Sequence, residues 1–590
     1  MIRKTICQNC KKDFVIEAED FDFYKNFKVP IPTFCWRCRL QRRMASRSGS
    51  RTMYMIKCGL CDKRTTSNSP PDSLFPMYCS HCWHGDGWDA MEYGREYDFN
   101  KTFFEQFRDL IHSVPRQATK MRNSSGSRYC DSVIDCKDCF MVMGGLKSQD
   151  CMYGEPYLSR NTVDSDIVLN ADHSYENLSC NGVFNTRFVY FSDECLDSSF
   201  LFDCKGCTSC FGCVNLRNQQ YRIFNKKYTK EEYKKEMEKW DLGSYIKLQE
   251  AKKRFYEFYL SIPRRFSIIT NGINVVGDDL QNTKNCQVCF MTKSGVENCK
   301  YIYYGGLLLK DSMDVTTGGE KSQLMYESVG NAASERALFS NGLNTTHDIE
   351  YSEQVFGSSD IFGCVGIKHR KYCILNKQYS KEEYKVLRQK ITKHMNERPF
   401  VDKNGREYKY GEYFPIEHNV YAYNESWAFQ NFRMTKGEAL DAGYGWRDRE
   451  QKNYDIDIRN SSLLDHVKDA DNSIANKAIE CLHKGECNEL CTKAFRIIPD
   501  ELKFYRQMNI ALPRLCPNCR YFQRLSMRNS LKLWHRACQC VGDGSDNGVY
   551  NNTDKHFHGN NHCPNEFETA ISPERKEIVY CQQCYNDEFV

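Results

Sequence analysis

The 590-residue sequence lacks any apolar run of about 18 residues, the length that a membrane-spanning helix requires. Its first seven residues contain no apolar core of the kind found in signal peptides, so we expect no export signal. Net charge is also small, +5 on 82 basic and 77 acidic residues, and bulk electrostatics therefore indicate no particular partner. These absences predict a cytoplasmic protein that does not enter a membrane.

Common catalytic signatures are missing as well. The sequence contains no P-loop, no H-E-x-x-H, no G-x-S-x-G and no G-x-G-x-x-G between a strand and a helix. We therefore favour a non-enzymatic protein. An enzyme whose site lies on a β-solenoid face stays an alternative, because solenoids host carbohydrate-active enzymes. That alternative requires several acidic groups that converge in a groove.

Cysteine, in contrast, is abundant, with 33 residues. In a reducing compartment such cysteines bind metal or pack as small apolar residues. Closely spaced pairs can bring two sulfurs each to one tetrahedral Zn²⁺ ion, and two such sets predict structural zinc ribbons in residues 1–95. The predicted ligands are Cys7, Cys10, Cys35 and Cys38 for the first ribbon, and Cys58, Cys61, Cys79 and Cys82 for the second.

Residues 480–590 repeat this arrangement. The segments Cys10–Cys35 and Cys491–Cys516 each enclose 24 residues, and further positions align at a shift of 481. Cys481 is a spare candidate, and the choice between Cys538 and Cys540 stays open. The predicted ligands are Cys487, Cys491, Cys516 and Cys519, then Cys538, Cys540, Cys563, Cys581 and Cys584. We interpret His556, His558 and His562 as surface residues, with a ligand role as the alternative. About four structural zinc ions are expected.

The first ribbon has a distinctive signature: Cys7-x2-Cys10, Phe14, Glu19 or Asp20, Phe23-Tyr24, Pro32 and Cys35-x2-Cys38-Arg39. It resembles the small "probable zinc-ribbon" family of treble-clef type. The whole layout resembles large uncharacterised bacterial proteins that carry ribbon pairs at both ends and a cysteine-bearing middle. This family has no established activity, so the resemblance implies an architecture and no function.

The middle of the chain is a second duplication. A shift of 150 aligns Cys136-x2-Cys139 with Cys286-x2-Cys289, and a shift of 151 aligns Phe211-Gly212-Cys213 with Phe362-Gly363-Cys364. Inside each copy, short strand-like runs alternate with Asn, Asp, Ser and Gly about every 12 residues. This spacing predicts a stacked β-solenoid, in which neighbouring coils bury each other's faces. An irregular β-sandwich is the alternative.

The predicted fold class is therefore a mainly β multidomain protein, with tandem zinc ribbons at both ends of two solenoid copies. Capping boxes at Thr229…Glu232 and Ser380…Glu383 predict that a helix follows each copy. The predicted boundaries are 1–95 for tandem ribbons, 96–125 for a helical linker, 126–220 for solenoid copy one, 221–265 for a helical segment, 266–375 for solenoid copy two, 376–479 for a helical or irregular connector, and 480–590 for tandem ribbons.

One cysteine run in the first copy has spacing that superficially resembles an iron–sulfur motif. It consists of Cys204, Cys207, Cys210 and Cys213, but it lacks the usual final x3 spacing and the following proline. The matching positions in the second copy are Val355, Ser358, Ile361 and Cys364, so the fold does not need four cysteines there. We favour packing in the solenoid core, with metal binding as the alternative.

Two basic helices are the best functional lead. Helical spacing places several arginines on one face beside aromatic residues, a combination that suits contact with RNA or single-stranded DNA. The candidates are Arg37, Arg39, Arg42, Arg43, Arg47, Arg520, Arg524 and Arg528. The hypothesis fails if Arg39, Arg42 and Arg43 are buried against the nearby acids of residues 17–22. We expect a zinc-binding scaffold that contacts nucleic acid, with a protein–protein assembly scaffold as the alternative.

Overall fold

The computed structural model describes residues 3–49, 51–448 and 455–590. The chain divides into two units, and both are discontinuous in sequence. Unit 1 combines Met1–Thr119 with Ser267–Arg449, and unit 2 combines Lys120–Phe266 with Glu450–Val590. The N-terminal cysteine segment therefore folds with the second half of the middle, and the C-terminal segment folds with the first half. Residues 449–454 of the predicted connector lie outside the described ranges.

Unit 1 begins with two cysteine modules, module 1 (residues 3–49) and module 2 (residues 51–95). Each starts with an antiparallel hairpin and contains, further along the chain, a helix that begins directly after a cysteine. Module 1 contains strands Arg3–Ile6 and Asp13–Ile16 and helices Ala18–Phe27 and Trp36–Ala45. Module 2 contains strands Tyr54–Lys57, Arg64–Ser67 and Met77–Tyr78, helix Ser80–His84 and the 3-10 turn Ala90–Tyr93.

Unit 2 ends with two modules of the same element order, module 3 (residues 479–528) and module 4 (residues 534–590). Module 3 contains strands Ile479–Glu480 and Ala494–Phe495 and helices Pro499–Gln507 and Pro517–Leu525. Module 4 contains strands Trp534–Ala537, Glu566–Thr569 and Val579–Tyr580 and helix Gln582–Phe589. The recurrence of this element order agrees with the internal repeat that the sequence indicates.

In each unit, a short strand that follows a helix pairs with the last strand of a module. After helix Phe103–Ser113, strand Arg116–Gln117 pairs in parallel with the last strand of module 2. The matching strand Arg264–Arg265 pairs in parallel with Val579–Tyr580 of module 4. A shift of 148 aligns Pro115-Arg116 with Pro263-Arg264, and these two sequences have the same structural role.

The predicted β-solenoid is present in both units, and the two solenoids together have about 21 turns. Solenoid A, in unit 2, has parallel coils that are mostly 12 residues apart, as shown by Val189 opposite Leu201 and Leu201 opposite Cys213. Its strands are Met121–Arg122, Asp131–Ile134, Met143–Leu146, Glu155–Tyr157, Arg160–Val163, Asp166–Leu169, Asp172–Tyr175, Leu178–Asn181, Phe184–Tyr190, Ser199–Phe202, Thr208–Val214, Gln220–Ile223 and Lys226–Lys227.

Solenoid B, in unit 1, begins with 13-residue coils and continues with 12-residue coils. Lys310 lies opposite Gln323, whereas Ala332 lies opposite Asn344. Its strands are Ile269–Lys300, Tyr303–Gly305, Lys310–Glu320, Gln323–Leu338, Asn344–Glu350, Ser359–Phe362, Lys371–Ile374 and Lys377–Gln378.

Each 12-residue coil is built from a three-residue period that the sequence analysis missed. Positive φ angles recur at Asp203, Gly206, Ser209 and Gly212, with values of 50° to 68°. Such left-handed residues turn the chain, and short polar residues and glycine tolerate them best. The residue after each turn belongs to the solenoid core: Cys204, Cys207, Cys210 and Cys213 are at most 1% exposed. The x2 spacing of this run is therefore the period of the coil.

Helices follow both solenoids where the capping boxes predicted them. Thr229 caps helix Lys230–Met237, which is followed by Tyr245–Ser261, and Ser380 caps helix Lys381–Glu397. The rest of unit 1 consists of strands Phe400–Val401 and Glu407–Tyr408, short helices Trp427–Asn431 and Lys436–Asp441, and 3-10 turns Ile416–His418 and Tyr423–Glu425. Unit 2 adds 3-10 turns Asn460–Ser462, Val467–Asp469 and Asn472–Ile474. Across the described ranges, we find no helix with the length and hydropathy that crossing a membrane requires.

Candidate metal centres and buried arginine helices

The cysteines of each terminal module converge into one group that could hold a metal ion. Within a group the four sulfurs lie within 4.8 Å of one another, close enough to coordinate one tetrahedral ion. No disulfide joins any cysteine in the described residues. The groups are Cys7, Cys10, Cys35 and Cys38; Cys58, Cys61, Cys79 and Cys82; Cys481, Cys491, Cys516 and Cys519; and Cys538, Cys563, Cys581 and Cys584.

The first cysteine of every group is held in the same way. It directly follows or ends the first hairpin strand, and its Sγ accepts the backbone N–H of the group's third cysteine. The N···Sγ distance is 3.3 Å from Cys35 to Cys7 and 3.3 Å from Cys516 to Cys481. It is 3.2 Å in both module 2 and module 4. Because backbone donors favour the charged form of a thiol, this geometry prepares the sulfur for metal coordination.

In module 3, this recurring hydrogen bond and the sulfur distances bring together a different set of four thiols from the predicted one. Cys481, which the sequence left as a spare, takes the place of Cys7 in module 3. Cys487 lies outside this four-thiol group, although its Sγ is 3.6 Å from that of Cys519. The module 3 hairpin loop therefore contains nine residues between Cys481 and Cys491 where module 1 has two. Close spacing in the sequence favours the pair Cys487 and Cys491, and the ligand candidate before the longer loop, Cys481, is therefore overlooked.

In module 4 the choice between Cys538 and Cys540 is resolved in favour of Cys538 for the four-thiol group. Cys540 instead lies in a neighbouring group with His556, His558 and Cys584. The expectation of surface histidines is wrong for His556, which is 5% exposed, and His558 is half-buried. His562 is exposed, as expected.

Thiols in these groups have strongly altered pKa values. The hydrogen bond from the Cys35 thiol is the largest influence on Cys7 and lowers its pKa. Burial raises the pKa of Cys58, but backbone donors including Cys79 N–H outweigh it, and the pKa falls to about 6. The Cys481 thiol is the main cause that lowers the pKa of Cys491 to about 6. A thiolate, the form that binds metal, is therefore favoured at one position in each of these groups.

The basic helix of module 1 faces solenoid B. Arg39 Nη2 lies 2.6 Å from the Asp314 carboxylate, and Arg43 Nη1 lies 2.8 Å from that of Glu327. Arg42 Nη2 reaches Glu327 at 3.0 Å and, from the segment after the solenoid, Glu412 at 3.2 Å. The three arginine side chains are at most 2% exposed.

The basic helix of module 3 repeats this contact with solenoid A. Arg520 Nε lies 2.8 Å from Asp164, and Arg524 reaches Asp164 at 3.0 Å and Asp166 at 2.8 Å. Arg39 and Arg520 are related by the shift of 481 between the ends, and Asp314 and Asp164 by the shift of 150 between the solenoids. The same buried ion pair therefore occurs once in each unit.

The prediction of an exposed basic face is wrong for Arg39, Arg42, Arg43, Arg520 and Arg524. Their partners are mainly solenoid carboxylates, 275 residues away from Arg39 in the case of Asp314, and not the nearby acids of residues 17–22. The remaining candidates differ. Arg37 is exposed, and Arg47 and Arg528 are half-buried. The matching register of acids in both solenoid copies was the sequence signal that could have indicated these pairs.

Burial and charge act in opposite directions on the carboxylates of the module 1 contact. Burial raises the pKa of Glu327, but attraction by Arg42, Arg43 and Arg39 outweighs it, so the net shift is downward. Burial also raises the pKa of Glu412, and here Arg42 and Thr33 compensate only in part. Of these two carboxylates, the arginines stabilise the charge of Glu327 more.

Solenoid B also has an open groove of about 610 Å³ along successive coils. Its lining includes Lys310, Lys321, Lys371 and His347. Among the described residues that line it, Glu335 is the one carboxylate. This groove thus lacks the convergent acidic groups that the enzymatic alternative requires.

Comparisons with known proteins place the chain in no family. No protein-family model matches it, and no curated protein matches it. One solved structure that it matches is described as a "putative acetyltransferase from Desulfovibrio desulfuricans G20", with 10% sequence identity and a TM-score of 0.11. The match covers 50% of this chain and 85% of the other. A similarity at this level supports no argument about fold or activity.

Proposed function

We propose that the protein is a non-enzymatic scaffold whose four-thiol groups bind structural zinc. The observation that carries the proposal is the closed donor set in every terminal module, where four sulfurs lie within 4.8 Å of one another. A tetrahedral all-sulfur set suits Zn²⁺, and four protein ligands leave no coordination position for water or substrate. The order of hairpin and helix in the modules is typical of treble-clef zinc ribbons. Reduced thiols on this scale fit the cytoplasm.

In this proposal the modules stabilise the solenoid of their own unit through the buried ion pairs. The partner of the protein is another protein. Five of the eight candidate arginines form buried ion pairs within their own unit, so their charges are not accessible to phosphate. This burial weakens the case for nucleic acid, and we therefore place protein assembly first. The exposed coil surfaces, including the solenoid B groove, are the surface available to such a partner.

Metal analysis of two cysteine variants tests the zinc assignment. We expect Cys35→Ser to lower the zinc content by one ion per chain, because it removes one of four sulfurs from module 1. Cys207→Ser is the matched control in the solenoid core. It should leave the metal content unchanged and cost about 1–3 kcal/mol of stability, because it buries a hydroxyl in place of a thiol. Mass spectrometry with an inductively coupled plasma measures zinc and iron together.

Two results of that analysis contradict the proposal. If Cys35→Ser and the wild type contain the same amount of zinc, module 1 binds no zinc. Iron that is present in anaerobically purified protein and lost in Cys207→Ser assigns a metal to the solenoid cysteines instead.

Nucleic-acid contact stays a prediction, and it now rests on Arg37, Arg47 and Arg528. We expect no salt-sensitive binding of labelled single-stranded RNA or DNA, because so few accessible arginines remain on these helices. Binding at low and high salt is compared for the wild type and the triple alanine variant of these residues. Tight binding that weakens with salt and is lost in the variant would reinstate nucleic acid as the partner.

A further inference from the structure

Module 4 contains more potential ligands than one metal ion uses. Its four-thiol group is complete without Cys540, yet Cys540 lies beside that group together with His556 and His558. The ligand atoms of Cys540, His556, His558 and Cys584 all lie within 4.8 Å of one another. The histidines belong to the insertion at 541–562, which lengthens the loop between Cys538 and Cys563 to 24 residues, compared with two residues in module 1.

The geometry of this second group matches a tetrahedral site with two sulfur and two nitrogen ligands. Cys540 Sγ lies 3.2 Å from His556 Nδ1, and Cys584 Sγ lies 3.3 Å from His558 Nε2. Ligand atoms around one Zn²⁺ ion lie about 3.5 Å apart, given the usual Zn–S and Zn–N bond lengths. Cys540 and Cys584 are fully buried.

The other nitrogen of each histidine has the partner that metal-binding histidines use. His556 Nε2 lies 3.3 Å from the buried Glu588 carboxylate, and His558 Nδ1 lies 2.7 Å from the carbonyl oxygen of Asn561. Such outer partners fix the tautomer, so that the opposite nitrogen carries its lone pair toward the metal. Asn552 Nδ2 also donates to Cys540 Sγ at 3.3 Å. The site therefore has outer partners as well as ligands.

We propose that Cys540, His556, His558 and Cys584 bind a second metal ion, a zinc ion, and that the Cys584 thiolate bridges the two ions of module 4. Cys584 Sγ lies 3.5 Å from Cys563 Sγ in the first group, so it already belongs to both. The bridge rests on the proposed zinc in the four-thiol group. The second ion adds two positive charges and only one further thiolate, Cys540, which reduces the negative charge buried in the module.

The second ion also explains how the insertion is held in place. Glu588, on the C-terminal helix Gln582–Phe589, accepts hydrogen bonds from Tyr550 Oη at 2.6 Å and from the Thr553 backbone N–H at 2.9 Å. With His556 and His558 coordinated, the loop is fixed to this helix by metal as well as by Glu588. The site is structural, because protein side chains supply all four ligands.

Native mass spectrometry of the full chain tests the site, because it counts metal ions on molecules whose charge states report the fold. The double variant His556→Ala/His558→Ala should carry one zinc ion fewer than the wild type. His562→Ala is the matched control in the same loop and should keep the wild-type count. His558→Cys, which retains a ligand, should restore the ion when compared with His558→Ala. Cys540→Ser should lose one ion, whereas Cys584→Ser should lose two.

Different ion counts in these variants would reject either the second metal site or the Cys584 bridge. An unchanged count in the double histidine variant rejects the second site. Loss of a single ion in Cys584→Ser, with the fold retained, rejects the bridge. Cys563→Ser separates these results from the proposed function, because it removes a ligand of the four-thiol group alone. If Cys563→Ser also leaves the count unchanged, the proposed zinc ion in the four-thiol group of module 4 is wrong.

Discussion

Replacing Asp314 by Asn is expected to destabilise unit 1 by about 3–5 kcal/mol, because it leaves the buried charges of Arg39 and Arg43 with one carboxylate fewer. Asp314 lies within 3.0 Å of both Arg39 and Arg43, and all three side chains are almost inaccessible to water. The asparagine is nearly isosteric, so the change removes charge and little packing. Urea unfolding followed by circular dichroism measures the loss as a lower transition midpoint.

Asp311→Asn is the matched control for this prediction. Asp311 is three residues away in the same strand, is exposed, and accepts a hydrogen bond from Asn298. Its replacement should change stability by less than about 0.5 kcal/mol. Asp164→Asn should reproduce the large effect in unit 2, because Asp164 has the equivalent place between Arg520 and Arg524. Equal stability of Asp314→Asn and Asp311→Asn contradicts the structural role of the ion pairs.

Removing the metal ions is expected to unfold the terminal modules. These modules have short hairpins and short helices, and their cores contain the cysteine groups that could hold metal. Under the proposed function, metal binding supplies much of their folding free energy. Free energies of about 10–16 kcal/mol are typical of structural zinc in small domains. A strong zinc chelator should therefore lower the thermal transition by tens of degrees. Chelator that has been saturated with zinc beforehand is the control.

Readdition of zinc should restore the transition, since the ligands are reduced thiols that need no other cofactor. A chelated protein that keeps the wild-type transition would show that the four-thiol groups hold no structural metal. If the zinc-saturated chelator also lowers the thermal transition, the chelator acts by a route other than metal removal.

The sequence was most informative where a residue type and its spacing directly express a geometry. The 12-residue repeat predicted the coils of the solenoids, Thr229 and Ser380 predicted helix starts, and paired cysteines predicted the groups in modules 1 and 2. In module 3 the long loop before Cys491 concealed Cys481, because spacing alone favours the nearer Cys487. Sequence spacing therefore predicts a contact well when the residues that form it are close together in the chain.

The arginine helices show why the remaining features could not be predicted. Helical spacing correctly placed Arg39 and Arg43 on one face, but it could not show what covers that face. The covering carboxylates, Asp314 and Glu327, belong to a distant part of the chain. An exposed basic face and a buried one have the same local pattern. Only the fold distinguishes them, through the pairing of the N-terminal modules with the second solenoid.

Rates of backbone hydrogen exchange, measured with and without metal, test most directly whether the metal-bound modules stabilise the solenoids. The account predicts that chelation accelerates exchange in helix Trp36–Ala45 and also in residues 310–329, where Asp314 and Glu327 lie. Helix Lys381–Glu397 should keep its protection and serves as the internal reference. Acceleration in the module helix alone, with residues 310–329 unchanged, would contradict the claim that the modules hold the solenoid.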